Sequence, residues 1–288
     1  MGKPYFFFKC FLKSGLVAVI SLFLTPAFAQ NELSYTGELG LSVGAAHYFG
    51  DLNTKGALNA AKPAIGVYYR KYMNDYIGLR VHGRFMQLGY SDIYNKNDFQ
   101  HRRNLSFNTD VFELGVQGDF NFFRFEPGSQ YYRFSPYFTG GASIFYYNPY
   151  AYLNGVKYRL QPLRTEGQGS AMYPDRKPYS LTSLAFLLGG GFKYNISRKV
   201  NLGLEVLYRF TNTDYLDDVS TTYAGPAVFP PDAQGHSTTA YLLQDRSYAT
   251  GDRIGVAGRQ RGNSRDKDQF VTAELTISIL FTSYRCKF

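Results

Sequence analysis

Strict period-two alternation of apolar and polar side chains constrains this chain most. It recurs eight times between residues 38 and 281, whereas helical periodicity is almost absent. The first run sets Leu39, Leu41, Val43 and Ala45 against Glu38, Gly40, Ser42 and Gly44. The third sets Ile77, Leu79, Val81 and Phe85 against Arg80, His82 and Arg84. The eighth sets Val271, Ala273, Leu275, Ile277, Ile279 and Phe281 against Thr272, Glu274, Thr276 and Ser278. Runs of this length suit a tilted strand crossing a bilayer, which needs about 9–11 residues, better than the shorter strands of a soluble sandwich.

The connections sharpen this reading. Short links follow the second, fourth and sixth runs: Met73-Asn74-Asp75, Phe123 to Arg133, and Ser197-Arg198-Lys199. Long links follow the odd runs, at Phe49 to Lys62, Ser91 to Leu105, Tyr147 to Ser183 and Thr211 to Asp268. Short turns on one side and long loops on the other mark an outer-membrane barrel with both termini in the periplasm. The expected fold is all-β: an eight-stranded antiparallel transmembrane β-barrel, closed so that no strand edge stays unpaired. The competing soluble sandwich explains neither the alternating loop lengths nor the clustering of Tyr and Phe at strand ends, where interfacial girdles lie. The chain has 26 Tyr and 25 Phe but no Trp.

The N-terminus reads as a cleaved export signal over residues 1–29. Lys3, Lys9 and Lys13 precede an apolar run from Ser14 to Pro26, followed by Ala27-Phe28-Ala29. That run is too short to span comfortably as an anchor. The expected organisation is then a barrel over 30–281 and a periplasmic tail over 282–288, too short for a separate peptidoglycan-binding domain. Cleavage leaves Cys286 as the single cysteine, so neither an intrachain disulfide nor a cysteine-rich zinc site is expected.

The polar faces carry ten charged residues expected to point inward: Arg70, Arg80, Arg84, Lys193 and Arg209 against Glu38, Glu113, Asp119, Glu205 and Glu274. Five of each sign suits a sealed network of ion pairs. An eight-stranded barrel is just wide enough to be filled by side chains, and a buried charge left unpaired is costly. The lumen therefore reads as plugged, and a porin would need more strands.

Catalytic and ligand-binding constellations are weak. His82 shares a face with Arg80 and Arg84 and reads as a lumen hydrogen-bonding residue. His47 ends the first strand, and His101 sits beside Arg102 and Arg103 in a basic loop. His236 follows Asp217-Asp218 in the longest loop, superficially like a proteolytic Asp pair with His, but no strand positions it. Asp214, Asp217 and Asp218 do not match a calcium loop and read as a solvated acidic segment. Gly189-Gly190-Gly191 lacks the Lys and helix start of a phosphate cradle and reads as strand curvature. Dispersed basic residues give no nucleic-acid footprint. No catalytic residue, metal, cofactor or small-molecule substrate is expected.

Three segments carry a resemblance. They are Glu38 to Leu52, ending Tyr48-Phe49-Gly50-Asp51-Leu52; Gly66 to Tyr72; and Arg261-Gly262-Asn263-Ser264-Arg265-Asp266-Lys267-Asp268. With the Tyr284-Arg285-Cys286-Lys287-Phe288 end, the chain resembles the PorG-type outer-membrane barrel of the type IX secretion system. The resemblance implies a scaffold that joins the periplasmic ring, built by a lipoprotein and its partner, to the outer membrane. That machine exports proteins bearing C-terminal sorting domains. The resemblance supplies no catalytic residues. It adds the ring proteins to the partners expected of any such barrel, namely outer-membrane lipid and lipopolysaccharide. Docking is expected on the periplasmic side, at Arg124, Phe125, Tyr131, Tyr132 and Arg133 of the longest short-side link and at Tyr284, Arg285 and Lys287 of the tail, because aromatics and Arg anchor interfaces. The same aromatics would also serve as an inner girdle. A surface adhesin of the OmpA-like eight-stranded type, working through its long loops, is the alternative.

Overall fold

The computed structural model describes residues 35–282 apart from Gly128. The signal segment and the tail beyond Thr282, with Tyr284, Arg285, Cys286 and Lys287, lie outside the described residues.

Eight long strands form the wall: β1 (Tyr35–Phe49), β2 (Lys62–Tyr72), β3 (Ile77–Ser91), β4 (Ser106–Asn121), β5 (Phe134–Tyr146), β8 (Thr182–Ser197), β9 (Val200–Thr211) and β10 (Gln269–Thr282). Each pairs antiparallel with its neighbour in this order, and β1 pairs with β10 to close the ring. β6 (Tyr150–Leu153) and β7 (Val156–Arg159) form a hairpin that joins β4 through Asn108 and Tyr150, outside the ring. The closed ring leaves the eight wall strands without an open edge.

Alternation sorts the wall residues. Leu41, Ile65, Leu79, Leu114, Ile144, Leu184, Leu204 and Leu275 all face outward and are exposed, Leu114 by 67% and Leu275 by 63%. Rings of aromatics flank this apolar middle. Phe120, Phe122, Phe138 and Tyr194 lie toward the short turns, and Phe112, Tyr146, Phe186 and Phe210 toward the long loops. An apolar belt of this height is stable only where hydrocarbon covers it, and its aromatic borders fit the two lipid–water interfaces.

The strands, at 11–16 residues, run beyond the sequence runs because their loop ends continue past the belt. There the interior changes character. Inward-facing Met86, Leu88, Val111, Phe145, Leu187, Leu207 and Phe270 form an apolar core with Tyr48, Leu52, Phe107 and Tyr147. The charged residues run from the short-turn half up to the base of this core, where Arg209 pairs in register with Leu187 and Phe270. Alternation marks the ionic layer and not this core, because Phe145, Leu187 and Leu207 lie within strands whose outward residues are apolar as well.

Glycines allow the wall to curve. A Cβ on Gly189 would meet the Val206 carbonyl at 2.3 Å, and one on Gly191 would meet the Leu204 carbonyl at 2.1 Å. Both contacts are with the backbone of β9, which cannot move aside as a side chain can. The triple glycine thus permits close approach of β8 and β9.

Candidate functional site

Three places carry the molecule's polar chemistry: the lower lumen, the short-turn end and the loop cap.

In the lumen all ten charged side chains are buried. Nine of them form one connected chain. Glu38 meets Arg70, which reaches Asp119 at 2.5 Å. Asp119 meets Arg80 at 3.3 Å, and Arg80 also binds Glu205. Arg84 bridges Glu205 at 2.8 Å and Glu274 at 3.2 Å, and it approaches Glu113 at 3.6 Å. Arg209 holds Glu113 in a fork, at 2.8 and 3.1 Å. His82 Nε2 lies 3.0 Å from Glu113 Oε1. The phenols of Tyr72 and Tyr137 donate to Glu38 and Glu205. Lys193 departs from the expected ion pairing. Its Nζ has no hydrogen-bond partner among the described residues and lies 4.8–5.3 Å from the ring centres of Tyr72, Phe125 and Tyr137. Its alternation is inward, but at that depth the wall offers aromatic faces, which hold a cation through their quadrupoles.

At the short-turn end, Asn74 Oδ1 accepts from the Tyr76 and Ile77 amides and fixes the β2–β3 turn. The 122–133 link folds beneath the barrel mouth. Phe125 is fully buried there, against Tyr72 and Lys193, and its amide donates to the Asp75 carbonyl. This corrects its assignment to a docking surface: the ring stoppers the barrel and is not presented to a partner. Arg133 is committed to the Asn195 and Ile196 carbonyls at the neighbouring turn. Arg124 pairs with Asp75 at 2.9 Å and stacks 4.5 Å over Tyr132. Tyr131 is 89% exposed.

At the other end the four long links interlock. Asp92 accepts from Nε and Nη2 of Arg103, at 2.7 and 2.8 Å, and Arg103 also donates to the Asp51 and Arg261 carbonyls. Arg261 pairs with Glu166 at 3.1 Å and approaches Asp218 at 3.6 Å. Glu166 further accepts from the Ser220 and Thr221 amides, and Asp218 accepts from Thr165 and Tyr179. Asp51 accepts from the Asn263 amide at 2.8 Å. Tyr48 Oη lies 2.6 Å from Asp217 and 2.9 Å from Asp268. Tyr48, Asp51, Arg261 and Asp268 therefore meet in the cap, although they come from segments more than 200 positions apart in sequence.

Asp214, Asp217 and Asp218 are buried, correcting the expectation of a solvated acidic segment. The apolar core below and the interlocked loops around them exclude water. Desolvation pushes the Asp214 carboxyl up to about 7 and those of Asp51 and Asp218 up to about 6. Burial and then neighbouring negative charge raise Asp217 and Asp268 as well.

The histidines are scattered. His47 is buried beside Asn53 at 3.0 Å, and His101 sits on the short helix α1 (Asp98–Arg103). His236 is exposed and pairs with Asp232, away from buried Asp217 and Asp218. Glu166, Asp92 and Arg103 had no sequence signal: Glu166 finds its partners in another loop, and Asp92 and Arg103 are brought together only by the fold of their own loop. The β6–β7 hairpin did have one: Asn154-Gly155, both at positive φ, is the dipeptide of a tight two-residue turn.

Residues 15–224 match a family model described as "Domain of unknown function (DUF6089)". No curated protein matches the chain. Among solved structures, the chain is similar to the N-terminal β-barrel domain of Pseudomonas aeruginosa OprF, at 10% identity and a TM-score of 0.35, over 87% of this chain and 100% of that one. Neisserial surface protein A gives 12% identity and a TM-score of 0.40, over 87% and 100%. Yersinia pestis Ail, in complex with the heparin analogue sucrose octasulfate, gives 11% and 0.38, over 85% and 99%. At these values the fold rests on the strand register itself.

Proposed function

We propose that this chain, which belongs to the DUF6089 family, is an outer-membrane barrel that serves as an anchor and not as a pore. The observation that carries the reading is the filled interior: an ionic network, an apolar core and an interlocked cap occupy the barrel in succession. Such a barrel offers the cell a rigid body in the membrane with two faces. In this reading the short turns face the periplasm and the long loops face outward, as they do in bacterial barrels generally. The finer proposal is that the chain is the barrel subunit of a type IX secretion system, holding the periplasmic ring lipoprotein and its partner to the membrane. Its support is the resemblance carried by Tyr48 to Leu52 and Arg261 to Asp268. Exposed Tyr131 and Tyr132 beside Arg124 give the 122–133 link the residue types that anchor interfaces.

The test exchanges Tyr131 and Tyr132 for Ser and reverses Arg124 to Glu, leaving the Phe125 stopper intact. Tagged barrel is then captured from detergent and its co-purifying proteins are identified. Barrel abundance should stay normal while the ring proteins and the export of sorting-domain proteins are lost. Normal recovery of both would remove the 122–133 link as the docking surface. A second reading, a surface adhesin, draws on the ordered loop cap, since pre-organised loops lose less entropy on binding. It requires a surface ligand that is captured without the ring proteins. Planar-bilayer recordings should give no stable porin-like conductance in either case.

A further inference from the structure

The β6–β7 hairpin holds two cations beside one aromatic ring at the upper border of the apolar belt. Lys157 Nζ lies 3.5 Å from the centre of the Tyr150 ring, and the Arg159 guanidinium carbon lies 5.3 Å from it. Both residues are exposed and lie two apart on β7, so their side chains share a face. Arg159 donates to the Asn148 carbonyl at 2.7 Å. Lys157 lies 3.9 Å from Asp110, whose other oxygen accepts from Gln87 at 3.1 Å. Asp110 pairs with Lys157 while Arg159 is held by a neutral carbonyl, which leaves the cluster an excess positive charge.

The register fixes the height of this cluster. Phe112 and Tyr146 are paired across β4 and β5 and point outward, 55% and 43% exposed, as part of the upper girdle. Asp110 and Asn148, which mark where the two cations sit, are each two residues further toward the loops. At a rise of about 3.4 Å per residue and a tilt of about 40°, two residues lift the charges about 5 Å above the girdle. The headgroup layer, about 5–8 Å deep on each side of the hydrocarbon, begins at that height.

We propose that Lys157 and Arg159 bind the phosphate of a phosphorylated glycolipid of the outer leaflet, with its acyl chains lying along the apolar wall below Phe112 and Tyr146. This rests on the reading that the long loops face outward. A lipid headgroup is favoured over free phosphate because the cations stand directly above exposed apolar wall, where a soluble anion gains nothing from the surface beneath.

The test adds bisphosphorylated lipid A, or its dephosphorylated analogue, to purified full-length barrel in detergent and reads bound lipid by native mass spectrometry. The wild type should prefer the phosphorylated form by about tenfold, as two surface cations allow. Lys157→Gln combined with Arg159→Gln should abolish that preference while the barrel remains heat-modifiable on gels, and Lys157→Arg should keep it. Three results would overturn the proposal: no preference in the wild type, the same preference in the double variant, or full displacement of lipid by millimolar inorganic phosphate. An unchanged double variant would assign the two cations to protecting the free edge of β7 from pairing. A wild-type protein that shows no heat-modifiable form would overturn the membrane-barrel reading together with this one, so the two failures separate.

Discussion

The lower lumen and the loop cap are both buried networks of Arg, Asp and Glu, yet they are built in different ways. The lumen hangs its charges from eight paired strands, whose pleat fixes where each Cβ points. Its geometry therefore survives as long as the wall does. The cap draws Asp51, Asp92, Arg103, Glu166, Asp218 and Arg261 from four loops, and its geometry is held by the contacts themselves. The lumen's acids sit against arginines throughout, whereas Asp51, Asp214, Asp217 and Asp268 crowd one another around Tyr48. The contrast teaches that equal burial does not mean equal robustness. The lumen network should be coupled to global stability and the cap to local opening.

The largest expected effect comes from breaking the lumen. Glu205→Ala removes the shared partner of Arg80 and Arg84 and leaves two buried guanidinium groups undercompensated. A loss of about 3–5 kcal/mol is expected, measured by urea unfolding in lipid vesicles. A much smaller loss would mean that the chain of ion pairs re-forms around the gap.

Next comes the wall. Leu275→Arg or Leu204→Arg places a charge on the outward face and should lose about 2–4 kcal/mol near the bilayer midplane, with reduced barrel in the outer-membrane fraction. Unchanged levels would contradict the assignment of that face to lipid.

The comparison itself is tested by Arg261→Met. It deprives Glu166 and Asp218 of their cation and should cost about 1–3 kcal/mol, confined to the cap. Hydrogen exchange should quicken over residues 161–168 and 215–262, while the heat-modifiable gel shift stays as in the wild type. Collapse of the whole barrel would show that cap and wall are one cooperative unit.

The smallest effect is set by pH. The carboxyls of Asp51, Asp214 and Asp218 are raised in the folded protein, so the folded cap holds protons that the open loops release. Their stabilisation is complete below about pH 4 and is lost as pH rises through about 6–7, by at most about tenfold in the opening equilibrium per pH unit and per group. Limited proteolysis of the loops should therefore be faster at pH 8 than at pH 5, after correction for protease activity. The reverse order would mean that these acids are ionised and paired in the folded state.

Much of this was written locally in the sequence. Period-two alternation determined which side chains of each strand face lipid and which face the lumen, because the pleat turns every second Cβ to the same side. Loop lengths marked the two ends, and together these implied a closed ring of eight antiparallel strands. Tertiary structure alone decided how the charges pair. Register sets Arg70 directly beside Arg80, and Glu205 beside Glu274, like-charge pairs that repel when taken by themselves. The repulsion is relieved by Glu38, opposite Arg70 on β1, by Asp119 of β4 reaching both arginines, and across the lumen by Arg84 reaching both glutamates. Closure of the ring likewise seated Lys193 among aromatic rings, turned Phe125 inward as a stopper and gathered Tyr48, Asp217 and Asp268 under the cap. No local pattern encodes these placements, because each depends on which distant strand or loop stands opposite once the barrel has closed.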